Sequence, residues 1–116
     1  MADDTLFGVH GAALEVRSQR MGVLASNIAN ASTPGFKAKD IDFKAALASV
    51  EGGSAIDQGI NGAIKYRMPS QPSLDGNTVE LSSEQTAFAE NAVQYQTTLS
   101  FLNGRINQIT RALKGE

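Results

Sequence analysis

One run of residues constrains this chain more than any other. Phe88, Ala92, Tyr95, Leu99, Leu102, Ile106, Ile109 and Leu113 follow one another at alternating steps of four and three. That is the a/d repeat of a coiled-coil seam, and it predicts one long amphipathic helix. Ser82 followed by Gln85 reads as a capping box at its start, and Gly115 stands where such a helix stops. Arg111 and Lys114 fall in the last turn, where cations suit the helix dipole. A helix over 83–114 is roughly 48 Å long. A chain of 116 residues makes too small a globule to enclose it, so the helix is expected to project or to pack along something equally long.

The other end also repeats by sevens, in two series. Phe7, Leu14, Met21 and Ile28 form one; Val9, Val16 and Val23 form a second, displaced by two residues. Two residues are about 200° around a helix, so the stripes face different sides and predict packing partners on both. Glycines within the same stretch make this helix marginal alone. The expected use of the two stripes is one against the C-terminal seam and one against an adjacent subunit. His10 reads as a half-buried helix residue, one turn from Phe7 and Leu14.

All three prolines, Pro34, Pro69 and Pro72, lie between the two helical segments. Thr33 precedes a proline and is pushed out of the helical region. Thr33-Pro34-Gly35-Phe36 suits a type II turn, with Asn30 as a left-handed helix cap. Ile41 and Phe43 alternate with Asp40 and Asp42, and residues 44–48 suit a short helix. The glycine-rich stretch 52–62 reads as flexible. Asp75-Gly76 marks a turn before Thr78-Val79-Glu80-Leu81, a short strand or an extended arm. The expected fold is mainly α. Long N- and C-terminal helices pack as an antiparallel coiled-coil hairpin, joined by an irregular middle with a short helix and a β-hairpin or extended arm. The divisions fall at 1–32, 33–82 and 83–116.

The chemistry of catalysis is thin. There is no cysteine and one histidine, which excludes a thiol nucleophile, a thiolate metal site and a His pair. Asp40 and Asp42 supply far fewer oxygens than the 6–8 or so of a calcium site, and read as a solvated strand face. The glycine-rich stretch lacks the Lys-Ser/Thr ending of a phosphate loop. No catalytic, cofactor or metal residue is assigned, and an enzyme is not expected. A formal charge of −2 offers no basic field for nucleic acid. No apolar run is long enough for a membrane span, and the acidic start is unlike a cleaved secretory signal.

The segment Leu24-Ala25-Ser26-Asn27-Ile28-Ala29-Asn30-Ala31-Ser32-Thr33-Pro34-Gly35-Phe36-Lys37 resembles the N-terminal signature of bacterial flagellar axial proteins, the rod and hook subunits. The continuation Ala38-Lys39-Asp40-Ile41-Asp42-Phe43 is most similar to the proximal members of the basal-body rod family. Leu74-Asp75-Gly76-Asn77-Thr78-Val79-Glu80-Leu81, followed by Glu84, Tyr95 and Gln96, is a second match near the other end. Ser32 departs from the pattern, where relatives often carry an acid.

The resemblance implies a structural subunit of the proximal rod, the shaft between the inner-membrane ring and the hook. Expected partners are copies of itself, other rod subunits, the inner-membrane ring or its rod adaptor, and the flagellar type III export apparatus. No nucleic acid, membrane insertion or cofactor is implied. The expected location is the rod in the periplasmic space, reached without a cleaved signal peptide. Within the motif Asn27, Ala29, Asn30, Thr33, Pro34, Gly35, Phe36 and Lys37 carry the resemblance. Asn27 is open to two readings, a polar helix face or a hydrogen bond across subunits. The alternative function is a soluble helical-hairpin adaptor or export chaperone that binds partner helices along an exposed stripe.

Overall fold

A computed structural model describes residues 8–115 of the chain. In chain order these form α1 (Gly8–Ala29), β1 (Lys39–Ile41), α2 (Phe43–Glu51), α3 (Ile56–Gly62), β2 (Ile64–Tyr66) and α4 (Leu81–Lys114). Phe7, the first member of one N-terminal stripe, lies outside the described residues.

The fold is mainly helical, with α1 and α4 packed together. Three contacts set their direction. The His10 ring stacks on Phe101 with centroids 5.6 Å apart, Arg17 Nη1 donates to Gln94 Oε1 at 2.7 Å, and Asn27 Nδ2 donates to Glu84 Oε1 at 3.0 Å. Numbers rise along α1 as they fall along α4, so the pair is antiparallel. His10 is exposed rather than half-buried, because its ring lies over Phe101, itself 61% exposed. At 34 residues α4 is about 51 Å long. The same pairing brings Gly8 level with Asn103, and α4 runs on past that point for about 16 Å. The molecule is accordingly elongated, 64 × 26 × 18 Å.

The apolar core lies to one side of this hairpin. Val16, Ile41, Ala46, Ile60 and Ala63 are buried together, with Val23, Phe43 and Ile56 packed against them. Val16 and Val23 of the valine stripe therefore pack on the chain's own middle region, while Val9 is exposed.

The middle region is ordered by short-range capping and one close approach. Asp42 caps α2 by accepting from Ala45 N–H at 3.2 Å. The chain then reverses through Gly53, which has φ of +104°. The stretch 52–62, expected to be flexible, contains α3. Its Gly59 packs so tightly on α2 that a Cβ there would sit 3.0 Å from Val50 Cγ2 and 3.1 Å from the Ala46 carbonyl oxygen. The glycine that reads as flexibility in sequence is a contact point in space. β1 and β2 then pair antiparallel, with Lys39 opposite Tyr66 and Ile41 opposite Ile64.

The boundary signals divide. Gly115 ends α4 in the left-handed conformation, with φ of +76°. Phe36 N–H bonds back to the Thr33 carbonyl at 3.2 Å, and Gly35 has φ of +74°, as a type II turn requires. Asn30 is not a left-handed cap, since no non-glycine residue among those described has positive φ. Its side chain instead bonds the Ser26 carbonyl and receives the Thr33 hydroxyl. The Ser82–Gln85 capping box is also not used. α4 starts at Leu81 with Glu80 as N-cap and no side-chain cap. Residues 78–80 form no strand; Thr78 N–H simply bonds the Phe36 carbonyl at 2.9 Å.

Gly59→Ala is expected to lower the stability of the folded chain by about 1–3 kcal/mol through overpacking on α2, read as a drop in the urea midpoint with the slope unchanged.

Candidate functional site

The most constrained chemistry in the molecule is a ring of polar side chains at the closed end of the hairpin. Glu84 on α4 is fully buried. Such a carboxylate requires both charge and hydrogen-bond partners. Arg67, just after β2, supplies the charge: its Nε lies 2.8 Å from Glu84 Oε2, and its Nη2 donates to Oε1 at 3.2 Å. Arg67 Nη2 also donates to Asp40 Oδ2 at 2.9 Å. Arg20 on α1 completes the set, donating to both Asp40 oxygens at 2.8 and 3.0 Å. Two arginines and two acids alternate around the ring, so its formal charge is zero.

Asn27 closes it. Its Nδ2 donates to Glu84 Oε1 and to the Lys39 carbonyl at 2.7 Å, while its Oδ1 accepts from Lys39 N–H at 3.1 Å. One amide thus ties α1 to β1 and α4 together. Arg20 and Asn27 stand seven residues apart on α1, which puts both on the face that meets β1 and α4. Asn27 is buried within the chain, so its partners are intramolecular.

A second cluster clasps the two motif segments. Asn77, also buried, donates through Nδ2 to the carbonyls of Asn30 (2.9 Å), Ala31 (3.1 Å) and Thr33 (2.7 Å). These carbonyls belong to the turns that follow α1, where those of Asn30 and Thr33 also accept from the Thr33 and Phe36 N–H groups. Gly35 N–H bonds the Asp75 carbonyl at 2.9 Å, Lys37 Nζ bonds the Gly76 carbonyl at 2.5 Å, and Ala38 N–H bonds Thr78 Oγ1 at 2.8 Å. Gly76, with φ of +78°, lets the turn come this close. The two sequence segments that carry the resemblance are therefore one joint in space.

Asp40 and Asp42 do not form a solvated strand face. Asp40 is a ring member and Asp42 is a helix cap. Burial alone would raise the Asp40 carboxyl, but the hydrogen bonds and charge of Arg20, the Ile41 N–H and the charge of Arg67 outweigh it and hold it below the usual carboxylate range. Among the described residues no group of His, Asp and Glu is arranged to hold a metal ion, and no helix is long and apolar enough to cross a membrane.

The apolar residues read from sequence fall into three zones. Of the α4 series, Leu102 is buried, while Phe88, Ala92, Tyr95, Leu99 and Ile109 are half-buried. Ile106 and Leu113 are 40% and 84% exposed. On α1, Val16 is buried; Leu14, Met21, Val23 and Ile28 are half-buried, and Val9 is exposed. In the motif Asn27 is buried, Asn30 and Phe36 are half-buried, and Ala29, Thr33, Pro34, Gly35 and Lys37 are exposed. The deepest positions on α4 besides Leu102 are polar: Glu84, Asn91 and Thr98. An apolar count passes over them, although their spacing of seven was there to be read.

The geometry defines a class: an elongated helical hairpin whose special residues build a rigid joint at one end and leave apolar side chains exposed toward the other. Residues 7–37 match the family described as flagella basal body rod protein. Over 94% of each chain the sequence is 48% identical to flagellar basal body rod protein FlgB of Cereibacter sphaeroides. It is 45% identical to FlgB of Aeromonas hydrophila, covering 97% of this chain and 96% of that one. It is 41% identical to FlgB of Escherichia coli strain K12 over 88% of each. The chain belongs to the FlgB family of flagellar basal body rod proteins, and it is a structural subunit of the basal body rod. Membership implies assembly with other components of the basal body.

Because the folded-state Asp40 carboxyl is depressed, it stabilises the fold above the ordinary value of about 3.9, and that contribution is lost as pH falls through the lower folded value. Asp40→Asn is expected to cost about 2 kcal/mol at pH 7 and to show a shallower acid loss than the unsubstituted chain, measured as urea midpoints from neutral pH downward.

Proposed function

We propose that the chain is a subunit of the proximal rod. It polymerises with copies of itself and with other axial proteins into the drive shaft between the inner-membrane ring and the hook, and so serves flagellum-dependent motility. In this reading residues 1–32 and 83–116 build the inner helical tube, and residues 33–82 face outward to neighbouring subunits. The inner-membrane ring or its rod adaptor receives the base of the shaft. The subunit passes unfolded through the flagellar type III export apparatus to the periplasmic space, without a cleaved signal peptide, and it performs no catalysis.

The observation that carries this reading is the far part of α4. Ile106 and Leu113 continue the heptad of the seam past the level of Gly8, the first described residue, and are 40% and 84% exposed. Exposed apolar side chains spaced along a heptad offer surface for a further helix, and ordering it draws on the burial that neighbours provide. The absence of cysteine suits a chain that must travel unfolded.

Purified, detergent-resistant basal bodies are expected to contain the chain in constant ratio to other axial subunits by immunoblot; a purely cytosolic chain contradicts the reading. The double substitution Ile106→Asp, Leu113→Asp is expected to abolish rod assembly and motility while the isolated chain keeps its circular-dichroism helicity.

A further inference from the structure

We propose that Glu84 determines the register in which α4 lies on α1. The repeat of seven leaves the register loosely set: both helices carry it, with Leu14, Met21 and Ile28 on one and Phe88, Tyr95, Leu102 and Ile109 on the other. Sliding one helix by a heptad returns these side chains to apolar neighbours, and the change in apolar burial is confined to positions such as Leu24, whose counterpart one heptad earlier is Arg17.

The other buried polar contact of the seam is equally blind to such a slip. Asn91 Nδ2 donates to the Arg17 carbonyl at 2.9 Å, and a helix offers a carbonyl again at every turn. The Arg17–Gln94 bond is exposed and contributes little.

The partners of Glu84 are not repeated. They are Asn27 Nδ2 and the Arg67 guanidinium. A slip in one direction carries Glu84 past Ala29, the last residue of α1, and brings Asn91 to Asn27 and Arg67. The carboxylate is then replaced by a neutral amide. A slip in the other direction brings Glu84 level with Arg20, whose guanidinium already serves both oxygens of Asp40. The Arg67 guanidinium then loses the Glu84 carboxylate, and Asn27 Nδ2 keeps only the Lys39 carbonyl. Either way buried polar groups go unpaired, which is costly where loss of apolar contact is not. A buried ion pair of this kind adds little net stability compared with apolar replacement of both partners, so its contribution is choice between arrangements rather than strength.

The chain has no cysteine, so introduced pairs report position without interference. His10→Cys with Phe101→Cys reports the observed register, and His10→Cys with Gln94→Cys or Gln108→Cys reports the two one-heptad slips. In a glutathione redox buffer the first pair is expected to close and the other two to stay open. With Glu84→Leu and Arg67→Met together, closure of a slipped pair is expected to rise by about fivefold or more, while helicity and the urea midpoint hold or increase. Two results overturn the proposal. If the first pair alone still closes in the double variant, the clasp at Asn77 sets the register instead. If the double variant loses helicity or its urea midpoint falls, Glu84 and Arg67 hold the fold up rather than select its register.

Discussion

A carboxylate with no solvent exposure dictates the plan of this molecule. Glu84 can occupy the interface between the two long helices only because Arg67 and Asn27 reach it. Arg67 is placed by the β-hairpin, where its N–H bonds the Ala38 carbonyl at 2.8 Å. Asn27 is placed by α1 and tied to β1. The middle region is thus more than a connection between helices: it delivers the cation that lets α4 lie on α1. Arg20 and Asp40 extend the same arrangement to the other side of β1, so a disturbance at any member is felt by three elements.

The clasp and the ring divide the work. Asn77 gathers the carbonyls of the turns just after α1 and fixes where the chain leaves and returns. The ring, one to two turns away, fixes how the helices lie. Both sit at the same end of a 64 Å molecule. Toward the other end the seam is carried by Leu102 and half-buried apolar side chains, and past Asn103 Ile106 and Leu113 are exposed while Ile109 is half-buried. Order built at one end and apolar surface left at the other suits a subunit whose remaining contacts come from the structure it joins.

Features written locally were legible in the sequence. The heptads gave the two helices and their antiparallel pairing, Gly115 gave the end of α4, and Thr33-Pro34-Gly35-Phe36 gave the turn. Features that depend on distant partners were not. Glu84, Asn91 and Thr98 occupy deep positions, but apolar periodicity ignores polar residues. The arginine that allows Glu84 to be buried lies 17 residues away in sequence, and the asparagine 57. α3 was hidden for a related reason: Gly59 lowers helix propensity locally, yet close packing on Ala46 and Val50 requires it. The second stripe of α1 was visible, but that the chain's own core would cover Val16 and Val23 depends on α2 and α3 folding back.

The central claim is that the hairpin is locked at the ring and clasp and loosens with distance from them. Amide hydrogen exchange along α4 in the free chain tests it most directly. Protection is expected to be strongest from Glu84 to Thr98, to weaken through Leu102, and to be lost from about Gly104 to Lys114. Uniform protection to Leu113 would contradict the account, since the far end of the helix would then need no neighbour to order it.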